Sequence, residues 1–208
     1  MTSDKVIGTL LFEGFELLDV FGPLEAWGIH AQAAGGLTIV TTAENAGAVK
    51  SAQGPRAIAD CALADCPRVD VLLVPGGIGT RRAVGNGAML DWLRRRADEA
   101  EIVSSVCTGA ALLARAGLLD GRRATSNKFA FSWVVEQGPQ VHWVRQARWV
   151  EDGKFATSAG VSAGIDMTLA LIARLADVAS AERVATRMEY EWHRDAAWDP
   201  FAKLHGLV

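Results

Sequence analysis

Cys107 is the residue in this chain best placed to do chemistry. The run EIVSSVCTGAALLARAGLL, from Glu101 to Leu119, places a β-branched segment directly before Cys107 and a small-residue, helix-compatible segment directly after it. That order predicts a strand, a tight turn carrying the thiol, and a helix whose positive end lies beside the sulfur. This is the layout of a nucleophile elbow. A helix N-terminus lowers a cysteine pKa, and the thiolate is the reactive species. The competing reading is that Cys107 is a small buried core residue, a common fate for free cysteine. Two further loops can meet it: the segment around Asp19 after the first strand, and Pro75-Gly76-Gly77 after a strongly apolar strand.

The elements around these loops form a simple alternation. Strands are expected over residues 6–12, 37–42, 70–75 and 102–106, and one over 141–150 that turns at 151–154 and pairs back with 155–158. Helices are expected over residues 23–34, with Pro23 in the first turn, and over 88–100, 109–116, 129–135, 163–176 and 180–190; residues 51–66 read as a short hairpin. Continuous apolar strands alternating with helices predict a mainly parallel sheet covered on both faces. The fold class is therefore α/β: a single doubly wound, flavodoxin-like domain over residues 1–208, with a core of about 6–190 and a C-terminal extension at 191–208. Ligands of such sheets bind at the carboxyl ends of the strands, where the three loops converge.

Composition narrows the function classes. A chain of 208 residues that is half hydrophobic suits one α/β domain with a substantial core. A net charge of −3 gives no electrostatic basis for binding nucleic acid or an anionic membrane. Three cysteines do not make a disulfide framework, and Cys61 and Cys66 lack the second ligand pair of a zinc site. No apolar stretch reaches the roughly 18 residues of a membrane span. With no leader segment legible at the N-terminus, a reducing, cytoplasmic location is expected.

Together, these motifs resemble the DJ-1/PfpI superfamily. The matching pieces are Glu16-Leu17-Leu18-Asp19-Val20-Phe21-Gly22-Pro23, Val74-Pro75-Gly76-Gly77, Ser105-Val106-Cys107-Thr108-Gly109, Ala124-Thr125-Ser126 and Ser158-Ala159-Gly160-Val161-Ser162-Ala163-Gly164-Ile165-Asp166. Within the superfamily the likeness is to the isocyanide hydratase group, which carries the aspartate motif and a Cys-Thr-Gly elbow. Thr108 stands where PfpI-type peptidases have histidine. None of the four histidines has the glutamate two positions on that a glutamine amidotransferase triad needs. Asn127 stands where many relatives have histidine, which argues against a Cys-His dyad.

The resemblance implies a cofactor-independent, metal-free lyase that converts isocyanides to N-substituted formamides. Cys107 is then the nucleophile and Asp19 the acid/base, kept protonated by its like-charged neighbour. Gly76 and Gly77 are expected to aim backbone N–H groups at developing negative charge, aided by Thr108. Ile78 is expected to form an apolar wall, and Thr125, Ser126 and Asn127 to line the far side. The alternatives are a non-catalytic or redox-sensing DJ-1-like protein and a glyoxalase- or deglycase-type activity on 2-oxoaldehydes. The superfamily implies a homodimer acting on a small molecule, with no nucleic-acid or membrane partner. The aromatic, charged tail from Glu189 is expected to pack over a neighbouring subunit.

Overall fold

The computed structural model describes residues 5–208. Its sheet is built from β1 (Lys5–Leu10), β2 (Leu37–Ala43), β5 (Cys61–Ala62), β6 (Val71–Val74), β7 (Ile102–Ser105), β10 (Trp149–Asp152) and β11 (Phe155–Ser158). The strand order is β10-β11-β7-β6-β1-β2-β5, and every pairing is parallel except β10 with β11. β3 (Gly47–Lys50) and β4 (Arg56–Ala59) form a separate antiparallel hairpin, and β8 (Arg123–Ala124) pairs with β9 (His142–Trp143).

Strand geometry divides the core in two. Successive side chains of a strand point to opposite faces, so Val71 and Leu73 of β6 join one apolar cluster and Leu72 and Val74 the other. The first cluster is closed by α1 (Leu17–Ala34), α6 (Ala163–Leu175) and α7 (Val178–Arg187), through Trp27, Met167, Leu171 and Val184. The second is closed by α3 (Gly87–Glu99) and α4 (Gly109–Arg115), through Trp92, Leu93, Leu112 and Leu113. The short helices α2 (Thr80–Ala83) and α5 (Phe131–Glu136) lie on this same side, both packed on α4. Asn86 caps α3 by accepting the Met89 N–H, and Asp177 caps α7 by accepting that of Ser180.

Three sequence expectations change. The first helix starts at Leu17 rather than Pro23, so Asp19 is helical rather than in a loop, and Pro23 lies inside the helix. The proline withholds an N–H from the Asp19 carbonyl but packs its ring towards Gly164 of α6. The strand expected over 141–150 is broken into β9 and β10.

The tail folds back on its own chain. Asp166 of α6, fully buried, accepts from Arg148 Nε at 2.5 Å, Tyr190 Oη at 3.1 Å and His193 N at 3.0 Å. Arg148 N–H donates to Ala196 O, Lys128 pairs with Asp199 at 3.1 Å with both side chains buried, and Phe129 meets His205 edge-on. A final helix, α8 (Phe201–Leu204), closes the chain.

The Asp166 cluster gives a stability prediction. Burial raises the Asp166 pKa and the Arg148 guanidinium opposes it, so losing the cation strands a charge in the core. Arg148→Met should destabilise the protein by about 3–5 kcal/mol in denaturant unfolding, and adding Asp166→Asn should recover part of that loss.

Candidate active site

The sheet's carboxyl edge creates the elbow. β7 ends at Ser105, the Val106 N–H still bonds Val74 O at 3.0 Å, and the Cys107 N–H turns across to Ala159 O at 2.9 Å. Cys107 then takes φ 57, one of two positive-φ residues other than glycine among those described. A bulky residue rarely holds that backbone, and such strain clusters at functional sites. The turn is tight enough that a Cβ on Gly109 would lie 2.3 Å from Val74 O. Ser126 Oγ supports it from the other side, donating to Cys107 O at 2.7 Å.

Asp19 reaches the elbow from the first turn of α1 and is fully buried. Its Oδ2 accepts the Gly76 N–H at 2.8 Å. Its Oδ1 has no hydrogen-bond partner, and the carboxyl lies close enough to the Cys107 thiol for each to shift the other's pKa. Burial pushes the Asp19 pKa up to about 8, with the Gly76 N–H opposing and the Glu16 charge adding to the rise. Burial likewise drives the Cys107 thiol far up, and the Asp19 charge reinforces it against the Thr108 N–H. The low thiol pKa expected from the helix terminus is therefore reversed: desolvation and a neighbouring carboxylate outweigh the helix end. At neutral pH the pair holds both its protons, gives up the first at about 8 and resists carrying two negative charges.

The glycine loop serves a different purpose from the one expected. The Gly76 N–H is engaged by Asp19 and the Gly77 N–H by Thr108 Oγ1 at 3.0 Å, so neither is free for a developing oxyanion. A Cβ on Gly76 would fall 2.5 Å from Thr108 N and 2.9 Å from Asp19 Oδ2, which is why glycine suits this crossing. Gly77, at φ 116, passes within 2.4 Å of Gly14 O by the same measure. Thr108 is joined to Thr80 Oγ1 at 3.2 Å, and its N–H and hydroxyl are the donors that favour charge on the sulfur.

The remaining expected residues scatter. Ile78 is 67% exposed and forms a rim rather than an enclosed wall. Thr125 is fully buried, with its hydroxyl donating to Val144 O and accepting from Lys128 Nζ. Asn127 Oδ1 accepts the Ala130 N–H. With Lys128, Ala159, Asp199 and Phe201, Asn127 lines a cavity of about 250 Å³ behind the elbow that Cys107 does not border. Sequence reasoning missed Thr80, Arg81 and the Lys128–Asp199 pair. Thr80 and Arg81 follow the glycine loop directly and could have been suspected from position; nothing local pairs residues 128 and 199.

A doubly wound sheet with a strained cysteine elbow and a buried carboxyl partner defines a class, and the comparisons agree. The DJ-1/PfpI family model matches residues 5–174, and the chain belongs to that family. It is 34% identical over 185 residues to isonitrile hydratase of Pseudomonas putida, spanning 88% of this chain and 78% of that protein. It is 39% identical over 128 residues to the HTH-type transcriptional regulator CdhR of Pseudomonas aeruginosa, spanning 62% of this chain but 38% of the regulator. Among solved structures, a ThiJ/PfpI family protein from Pseudomonas syringae superposes with a TM-score of 0.80 at 31% identity, covering 91% of this chain and 76% of that one.

The elevated Asp19 pKa has a signed consequence for stability. Folded Asp19 keeps its proton up to pH of about 8, whereas the unfolded group ionises near 3.8. Its contribution is therefore fully present below pH 3.8 and is lost as pH rises through 8. Asp19→Asn does not titrate. Its stability relative to wild type should climb between these limits by up to about 1.4 kcal/mol per pH unit, read by chemical denaturation across that range; parallel curves would mean that Asp19 is ionised in the fold.

Proposed function

We propose that the protein is a cofactor-independent hydratase that converts a small isocyanide to an N-substituted formamide. The observation that carries this reading is the buried Asp19 carboxyl set against the Cys107 thiol, which keeps a proton beside the nucleophile at neutral pH. Similarity to isonitrile hydratase over most of the chain supports it.

The Cys107 thiolate, with its proton held on Asp19, attacks the terminal isocyanide carbon and forms a C–S bond. Asp19 protonates that carbon, giving a thioimidate and an aspartate carboxylate. The carboxylate then accepts a proton from water as the water oxygen adds to the thioimidate carbon. Collapse of the adduct breaks the C–S bond, returns the thiolate and releases the formimidic acid, which becomes the formamide. Thr108 N–H and hydroxyl stabilise the sulfur when it carries charge. Asn127 takes no proton in this scheme.

Assay with p-nitrophenyl isocyanide, beside methylglyoxal and a peptide amide, tests the reading. Wild type should hydrate the isocyanide, and Cys107→Ala should be inactive. Asp19→Asn should lose about 10²–10⁴-fold in kcat, and Glu16→Gln should retain most turnover. Wild-type activity should rise as pH passes about 8, where the pair gives up the first of its two protons and the thiolate beside protonated Asp19 becomes populated, and Glu16→Gln should move that limb to lower pH. Iodoacetamide should label Cys107 of the wild type only slowly at neutral pH, because burial and the Asp19 charge hold its thiol protonated. Asp19→Asn should label faster at Cys107 while turning over more slowly. Turnover of methylglyoxal alone would replace the proposed reaction with one on 2-oxoaldehydes.

The same reading includes a homodimer. Leu18 and Phe21, one turn apart on α1, are 42% and 48% exposed on the helix that supplies Asp19. A two-fold pairing through this helix would cover both. Sedimentation should give twice the 22.2 kDa chain mass, and a monomer at micromolar concentration would overturn it.

A further inference from the structure

We propose that Arg81 is a specificity-determining residue of the Cys107 site and selects substrates that carry a carboxylate near the electrophilic carbon. This rests on reading Cys107 as the nucleophile and narrows the substrate class within that reading.

Position comes first. Arg81 is the second residue of α2, immediately after Thr80. The Thr80 hydroxyl is tied to Gly77 O at 2.7 Å and to Thr108 Oγ1 at 3.2 Å. The backbone that carries the arginine is thus pinned one residue from the elbow. Helix α5 presents Trp133, and the Arg81 guanidinium lies 3.4 Å from the centre of its ring. The indole is half-buried against the core and provides a firm platform. Arg81 and Trp133 together link α2 to α5 on the α4 side of the elbow, with Ile78 exposed nearby on the same loop.

Charge comes second. Arg81 makes no ion pair among the described residues, and it is exposed. Partial desolvation lowers its pKa, and the charge it responds to is that of Cys107. The acids close to the thiol are Asp19 and Glu16; Glu16 accepts from Gln53 Nε2 at 2.6 Å. With one face on the indole, the guanidinium keeps its N–H edge open, and that edge matches a carboxylate in a bidentate geometry. Without the arginine, the Glu16 charge beside the sulfur would repel an anionic substrate.

Two alkylating probes of nearly equal size isolate this effect: neutral iodoacetamide and anionic iodoacetate. Each loses iodide as the Cys107 sulfur forms a bond to carbon, so their rate ratio reports the field at the mouth rather than intrinsic reactivity. Rates at Cys107 should be followed by peptide mass mapping at low ionic strength. Arg81→Met should lower the iodoacetate-to-iodoacetamide ratio about five- to tenfold, leaving the iodoacetamide rate within about twofold of wild type. Arg81→Lys should restore part of the ratio, Trp133→Leu should lose part of it, and salt should narrow the wild-type preference. An unchanged ratio in Arg81→Met, with iodoacetamide labelling intact, would overturn the proposal and leave the hydratase reading standing. Failure of iodoacetamide to label wild-type Cys107 at all would overturn both.

Discussion

A carboxyl and a thiol buried side by side, with room for one negative charge between them, set the terms for the rest of this structure. In water the Asp19 carboxyl would ionise freely; in the closed space between α1 and the elbow, burial raises its pKa to about 8. Everything close to it manages that charge. The Gly76 N–H accommodates Oδ2, Thr108 addresses the sulfur, and Gly77 positions Thr108 rather than a substrate oxygen. The glycine loop thus acts on the thiol and carboxyl at one remove, by fixing the side chains that meet there.

The sheet makes this closeness possible. Parallel β6 and β7 end in register, Val74 beside Ser105, so the glycine loop and the elbow leave the sheet at the same level. Bonding of β11 to β7 brings Ala159 to the cysteine N–H. Helix α1 enters early enough for its third residue to face the thiol, and this required a helix that runs through Pro23 rather than starting there.

What was legible in the sequence follows from the range of each interaction. The alternation of apolar strands and helices, the elbow at Cys107 and the convergence at the strand ends all depend on local pattern, and the structure reproduces them. The start of α1 was misplaced because a proline within a helix reads locally as a helix start; only packing towards Gly164 on α6 compensates for the missing hydrogen bond. The direction of the Cys107 pKa was misjudged because a helix terminus is visible in sequence and burial is not. Lys128–Asp199 and the Asp166 cluster join residues distant in sequence, so neither leaves a periodic signal. The occupied amides of Gly76 and Gly77 could not be read from glycine itself, which shows that backbone comes close without saying to what.

The glycine crossings also bear on how such a scaffold can diversify. At Gly76 and Gly109 an added methyl group would collide with backbone atoms at 2.5 and 2.3 Å, so drift at these points is closed to the lineage. Ile78 and Arg81 follow the same glycine loop and are exposed, so a change of side chain there meets no such backbone. Heritable novelty in this architecture is therefore channelled to its rim: the Cys107–Asp19 centre is held constant by crowding, while the exposed side chains around it can change one at a time.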